Sequence, residues 1–128
     1  MRFLIVFCHP SEKSYSAALF NQIKDALLKV GNEVKVVNLY RENFNPVMSL
    51  DEWNSYIDET EKNISLLQKH VDALNWAEGL VFVFPTWMYG PPALLKGWLE
   101  RVWLPNVCLL YTSPSPRDQR GSGIPGWG

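Results

Sequence analysis

Histidine and cysteine are scarce in this 128-residue chain, two of each, and their placing excludes more than their number does. Cys8 sits inside an apolar, strand-like run and Cys108 near the far end, a spacing that suits neither a zinc site nor a disulfide framework. Both read as reduced structural thiols, and no metal is expected. Charge of one sign is lacking too. Twelve Lys and Arg against thirteen Asp and Glu leave a net charge of -1. There is no basic stripe to hold a polyanion, which argues against nucleic acid or an anionic membrane surface as partner. Long apolar runs are also missing. The run Phe3 to Phe7 is shorter than the roughly 7–15 residues of a secretory leader's apolar stretch, and nothing approaches the ~20 residues of a membrane-spanning helix. The expected setting is the cytoplasm, without membrane insertion, and the sequon Asn63-Ile64-Ser65 reads as accidental.

What is present is apolar residue in quantity, 47% of the chain, enough for one domain with a single core. The continuous run Phe3–Phe7 has the form of a strand covered on both faces of a parallel sheet. A helical stripe follows at Leu19, Ile23, Ala26, Leu27 and Val30, stopped by Gly31. Glu33 to Tyr40, β-branched and loosely alternating, reads as a second strand nearer an edge. Arg41 to Glu59 breaks the pattern, with a turn at Asn43-Phe44-Asn45-Pro46 and a short helix around Asp51 to Ile57. Thr60 is placed to cap a helix with the stripe Ile64, Leu67, Val71 and Leu74. A third strand, Leu80 to Phe84, and a final helix, Ala93 to Trp103 before Pro105, complete the alternation. The expected fold is α/β: a three-layer, doubly wound parallel sheet with strand order 2-1-3. Such a domain needs a further buried strand, for which only Val107 to Tyr111 is available. Residues 1–107 are therefore expected to be an incomplete domain. Residues 108–128, with three prolines and four glycines, are expected to be an irregular and non-native tail.

Two loops fall where such a sheet does chemistry. His9-Pro-Ser-Glu-Lys-Ser-Tyr-Ser16 lies between the first strand and the first helix. A helix N-terminus offers free N–H groups and partial positive charge, and Ser11, Ser14 and Ser16 add hydroxyls, so a phosphate could be held there without a glycine-rich loop. The plainer reading is that Ser14 or Ser16 only caps the helix. The second loop is Pro85 to Gly90, where Trp87, Met88 and Tyr89 crowd a turn. Aromatic and thioether side chains beside open backbone N–H groups suit a planar heteroaromatic ring. The plainer alternative is an aromatic plug of the core. In a 2-1-3 sheet the two loops face each other at the point where strand order reverses, where ligands bind.

The stretches HPSEKSYSAAL and FPTWMYGPPALLKGWLERVWLP resemble the NAD(P)H:quinone oxidoreductase family of flavodoxin-like flavoproteins. That family includes bacterial quinone reductases and the ancillary flavoproteins of potassium efflux systems. The likeness runs from residue 1 to about 107. It implies that His9, Lys13, Ser14, Tyr15 and Ser16 meet the phosphate part of a flavin nucleotide, with Ala18 packed nearby. It implies equally that Pro85, Thr86, Trp87, Met88 and Tyr89 line the isoalloxazine ring. The backbone N–H groups of Trp87, Met88 and Tyr89 would reach the ring's N5 and O4 edge, where charge develops on reduction. Met88 and Tyr89 would border the pocket used in turn by nicotinamide and quinone. The likeness further implies FAD or FMN as cofactor, with FAD slightly preferred, and NAD(P)H as electron donor. A homodimer is expected of complete relatives, with Trp98, Trp103 and the segment Trp53 to Tyr56 supplying interface. Lys96, Trp98, Glu100 and Arg101 are expected to pack or pair rather than react. The family's later Thr-Thr-Gly-Gly type loop and its Tyr and His residues have no counterpart here, so no catalytic residue is assigned. The competing readings are a non-catalytic ancillary subunit and an inactive fragment.

Overall fold

A computed structural model describes residues 1–105 and 107. The expected tail and Cys108 lie outside the described residues. Three parallel strands, β1 (Arg2–Phe7), β2 (Glu33–Asn38) and β3 (Gly79–Val83), stand in the order β2-β1-β3, as the alternating pattern predicts. Ile5 pairs with Val36 on one side and Val81 on the other. The continuous apolar run of β1 has the expected consequence: Leu4 to Phe7 are almost wholly buried, because both faces of the strand are covered. Ile5 and Phe7 pack under α1 (Tyr15–Lys29) with Ala17, Phe20 and Ile23. Leu4 and Val6 face α4 (Gln68–Trp76) and α5 (Ala93–Val102) through Val71, Leu74, Leu95 and Trp98. The result is three layers.

Gly31 ends α1 as read. It holds φ 98°, and the bonds Gly31 N–H to Leu28 O at 3.0 Å and Asn32 N–H to Leu27 O at 3.1 Å close the helix; a glycine takes that left-handed position without steric cost. The short helix α2 (Leu50–Asn54) opens on a reciprocal cap, Glu52 N–H to Ser49 Oγ at 3.1 Å and Ser49 N–H to Glu52 Oε1 at 2.8 Å. Thr60 differs from expectation. It is the first residue of α3 (Thr60–Leu66), not its cap, because its hydroxyl donates backward to Tyr56 O at 2.8 Å. The expected single helix is also two, since the backbone leaves helical geometry at Leu67 between α3 and α4.

The long connection from Arg41 to Glu59 is fastened by buried polar bonds. Arg101 Nε donates to Glu52 Oε2 at 2.8 Å, and Arg101 Nη1 to Asn45 O at 2.6 Å. Asn63 Nδ2 donates to Glu52 O at 2.9 Å. Asn63 is thus buried and occupied, which agrees with the reading of its sequon as accidental. His70 bridges Glu42 Oε1, 2.8 Å from its Nε2, and the Trp98 indole N–H, which donates to His70 Nδ1 at 3.0 Å. Trp98 is completely buried, and Trp103 packs edge-on against it. The expectation that Trp98 supplies interface is corrected accordingly, since the chain's own core uses it, whereas Trp103 is only partly buried. Trp53 remains 67% exposed.

Candidate functional site at the ends of β1 and β3

The hydrogen-bond ladder runs past the strand ends, Cys8 N–H to Val83 O at 3.0 Å and Leu39 N–H to Phe7 O at 3.1 Å. The loops that follow β1 and β3 therefore leave the sheet side by side. The His9 and Trp87 ring centroids are 6.0 Å apart, tilted by 59°. Two segments more than seventy residues apart in sequence meet there.

The first loop folds on itself by local bonds. Ser11 N–H donates to His9 Nδ1 at 2.9 Å, Lys13 N–H to Ser11 Oγ at 3.1 Å, and the Ser14 hydroxyl to Ser11 O at 2.9 Å. With Nδ1 accepting, the neutral imidazole carries its proton on Nε2. Ser14 is the cap, its Oγ accepting from Ala17 N–H at 3.0 Å. The capping alternative thus holds for Ser14, whose side chain is spent locally, and not for Ser16. Tyr15 N–H and Ser16 N–H, in the first turn of a 15-residue helix, have no protein acceptor among the described residues. Ala18 is exposed and its N–H closes the first turn on Ser14 O, while Ala17 is the alanine packed inside. Lys13 and Tyr15 are exposed beside the loop.

The second loop is a turn, as read, and closes as a tight hairpin. Trp87 N–H donates to Gly90 O at 2.9 Å and Gly90 N–H to Trp87 O at 3.1 Å. Met88 and Tyr89 between them hold φ of 52° and 64°. Positive φ at both central residues defines a type I′ turn, whose usual occupants are Asn and Gly; with neither at those positions, the turn was legible but its type was not. Left-handed backbone costs on the order of 1–2 kcal/mol per non-glycine residue. The Trp87 N–H is engaged inside the turn, so of the three N–H groups expected to face a ring, those of Met88 and Tyr89 stay available. Their side chains project fully into solvent, 92% and 101% exposed. A core plug would be buried, so the turn is not one. Pro85 is half-buried at its base, and Thr86 is exposed.

Cys8 lies directly before this site and does not supply a nucleophile. Burial pushes its thiol up to about 11, outweighing a hydrogen bond from the Leu95 backbone. No group of three or more His, Cys, Asp or Glu suited to a metal occurs among the described residues.

The chain resembles oxidoreductases. The uncharacterized NAD(P)H oxidoreductase YcaK of Escherichia coli is 35% identical over 109 residues, covering 80% of this chain and 52% of that protein. NAD(P)H dehydrogenase (quinone) 1 of Rattus norvegicus is 31% identical over 130 residues, covering 88% and 46%. Among solved structures, the NAD(P)H:quinone oxidoreductase from Methanothermobacter marburgensis matches with a TM-score of 0.71 at 32% identity, over 81% of this chain and 54% of that one. A putative quinone reductase from Klebsiella pneumoniae matches with a TM-score of 0.74 at 27% identity, over 81% and 46%. The chain spans about half the length of the curated relatives it matches. The family described as having a flavodoxin-like fold matches residues 1–124, nearly the whole chain, and the protein belongs to that family.

Proposed function

We propose that this chain forms the flavin-binding part of an NAD(P)H:quinone oxidoreductase. The observation that carries the reading is the meeting of the two loops at the switch point, with His9 against Trp87 at 6.0 Å. The residues fit a flavin nucleotide at both ends. Tyr15 N–H and Ser16 N–H, at the positive end of α1, suit its phosphate, with His9 Nε2–H and Lys13 as further donors and Ser14 holding the loop in shape. Met88 N–H and Tyr89 N–H suit the acceptor edge of an isoalloxazine ring, and Pro85, Thr86 and Trp87 stand along the same wall. Donors fixed by a strained turn need no reorganisation when charge grows on the edge they face, which is the electrostatic advantage of such a site. Bound there, flavin supplies two-electron hydride transfer between reduced nicotinamide and a quinone. The exposed Met88 and Tyr89 side chains serve to border the acceptor space and limit water on that side.

The same reading takes FAD in preference to FMN, a cytoplasmic setting, and a homodimer for complete relatives. Supporting the dimer is the exposed apolar surface at Leu50, Trp53 and Ile57. None of the described helices is long and apolar enough to cross a membrane. The test is reconstitution. The chain is expected to retain stoichiometric flavin through gel filtration, to lose the yellow colour on adding NADH or NADPH, and to regain it with benzoquinone. A folded chain that binds neither FAD nor FMN overturns the proposal.

A further inference from the structure

A second concave site adjoins the first loop, reaching Glu12 and Ala17 and lined by none of the residues named for the flavin. Between α1 and β2 is a cavity of about 250 Å³. Its apolar wall includes Phe7, Phe20 and Val36, and the two phenylalanine rings stack at 4.6 Å. Its rim carries Lys24, Asn21 and Asn38. Lys24 is half-buried, with its ammonium 5.5 Å from the centre of the Phe20 ring and no carboxylate partner among the described residues. Asn38 Oδ1 accepts from Arg41 N–H at 3.1 Å, which leaves its NH2 free; the Asn21 amide has no protein partner among the described residues. Glu12, the acid at the rim, is already paired with Arg41. An unneutralised cation and two amide donors thus converge on an aromatic wall.

We propose that this cavity binds a small planar aromatic carboxylate, its ring against Phe20 and Val36, with Phe7 buried behind Phe20, and its carboxylate on Lys24 and the two asparagine amides. Size argues for a single ring. Drug-sized pockets run from about 300 to 1,000 Å³, so a dinucleotide does not fit. Charge sets the sign: with Glu12 taken by Arg41, the charge left unpaired at the rim is the Lys24 ammonium, which suits an anion and repels an amine. The aromatic wall favours a flat ring over a compact inorganic anion such as phosphate, which would leave it unused. The site takes nothing from the flavin reading, and its test contains no flavin.

The probe is benzoate, titrated into the full chain and followed by amide NMR shifts, with benzylamine and inorganic phosphate in parallel. Saturable one-to-one binding of benzoate is expected, with shifts centred on Phe20, Asn21 and Asn38, and none with benzylamine. Lys24→Met keeps the aliphatic stem over Phe20 and removes the charge; it is expected to weaken benzoate roughly tenfold, the scale of one charge-assisted hydrogen bond. Lys24→Arg is expected to bind within about threefold of the unaltered chain and serves if Lys24→Met does not fold. Unsaturable benzoate shifts, equal binding of benzylamine, phosphate binding as tight as benzoate, or Lys24→Met binding unchanged would each overturn the assignment.

Discussion

Gly97 offers the sharpest test of how the long connection is seated, because two effects of opposite sign meet there. An alanine Cβ at this position would stand 2.3 Å from Pro46 Cβ, 2.4 Å from Pro46 O and 2.5 Å from Pro46 Cα. Two of those atoms are backbone, so no change of rotamer relieves the overlap and the connection has to retreat by about 1 Å. Retreat also stretches the bond from Arg101 Nη1 to Asn45 O, now 2.6 Å. Overpacking of this kind costs about 1–3 kcal/mol, and loosening a charge-assisted bond adds a share of about 1.5–3 kcal/mol. Against this, alanine gains about 1 kcal/mol over glycine inside a helix. The balance favours a net loss of roughly 2 kcal/mol for Gly97→Ala. Urea unfolding followed by tryptophan fluorescence is expected to show a lower midpoint at unchanged slope. Gly79→Ala is the control: its Cβ meets only the Phe3 ring, at 2.7 Å, and a side chain at a strand start can turn away, so less than about 1 kcal/mol is expected. A Gly97→Ala chain as stable as the parent, or more so, would mean helix propensity outweighs the contact and the connection is not seated as described.

Three further predictions rest on the same network and on the turn. Replacing Met88-Tyr89 by Asn-Gly relieves two left-handed residues and is expected to raise stability by about 1–2 kcal/mol; a lower melting temperature would refute the strain. Glu52→Gln leaves the buried Arg101 guanidinium without its countercharge, and a loss of about 3–5 kcal/mol is expected by equilibrium unfolding; a loss under about 1 kcal/mol would refute the pair's role. Acidification is expected to weaken the fold in two stages. Burial holds His70 below its ordinary 6.5 despite Glu42 beside it, so the unfolded chain takes up the proton first and stability falls as pH drops through 6.5 and below. For Glu52, burial acts to raise the carboxyl, but the Ser49 backbone N–H and Arg101 hold it below the ordinary range. Its contribution is present above that range and is lost as pH falls through the depressed value. A denaturation series between about pH 7 and pH 3 measures both, and a flat profile above pH 5 contradicts the His70 stage.

Much of the fold was legible because one strand carries the architecture. Five apolar residues in a row at Phe3–Phe7 can be satisfied only by cover on both faces, and that requirement alone implies helices above and below. The break at Leu67 was not legible, because neither Leu67 nor Gln68 is a helix breaker. Nor could composition separate a tryptophan in the core from one at an interface. Trp98 is the former because His70, 28 residues away, accepts its indole N–H. The Glu52–Arg101 pair spans 49 residues and leaves no local trace. At the candidate site, the placing of both loops followed from strand order, whereas the backbone of Met88 and Tyr89 did not, since neither residue favours positive φ.

That strained turn and the buried network belong to one physical problem. A turn with two left-handed side chains relaxes unless its ends are held apart in a fixed geometry. One end leaves β3, whose Val83 carbonyl is tied to Cys8. The other passes through Pro91 and Pro92 into α5, where Lys96 N–H closes on Pro92 O at 3.0 Å. The position of α5 in turn depends on Leu95, Trp98 and Arg101, all buried, and on their bonds to His70, Glu52 and Asn45. The polar groups of the long connection thus act at a distance from the switch point by fixing the helix that anchors the turn. Weakening them is expected to relax Met88 and Tyr89 before it unfolds the sheet. Loss of the β1 core would remove both together.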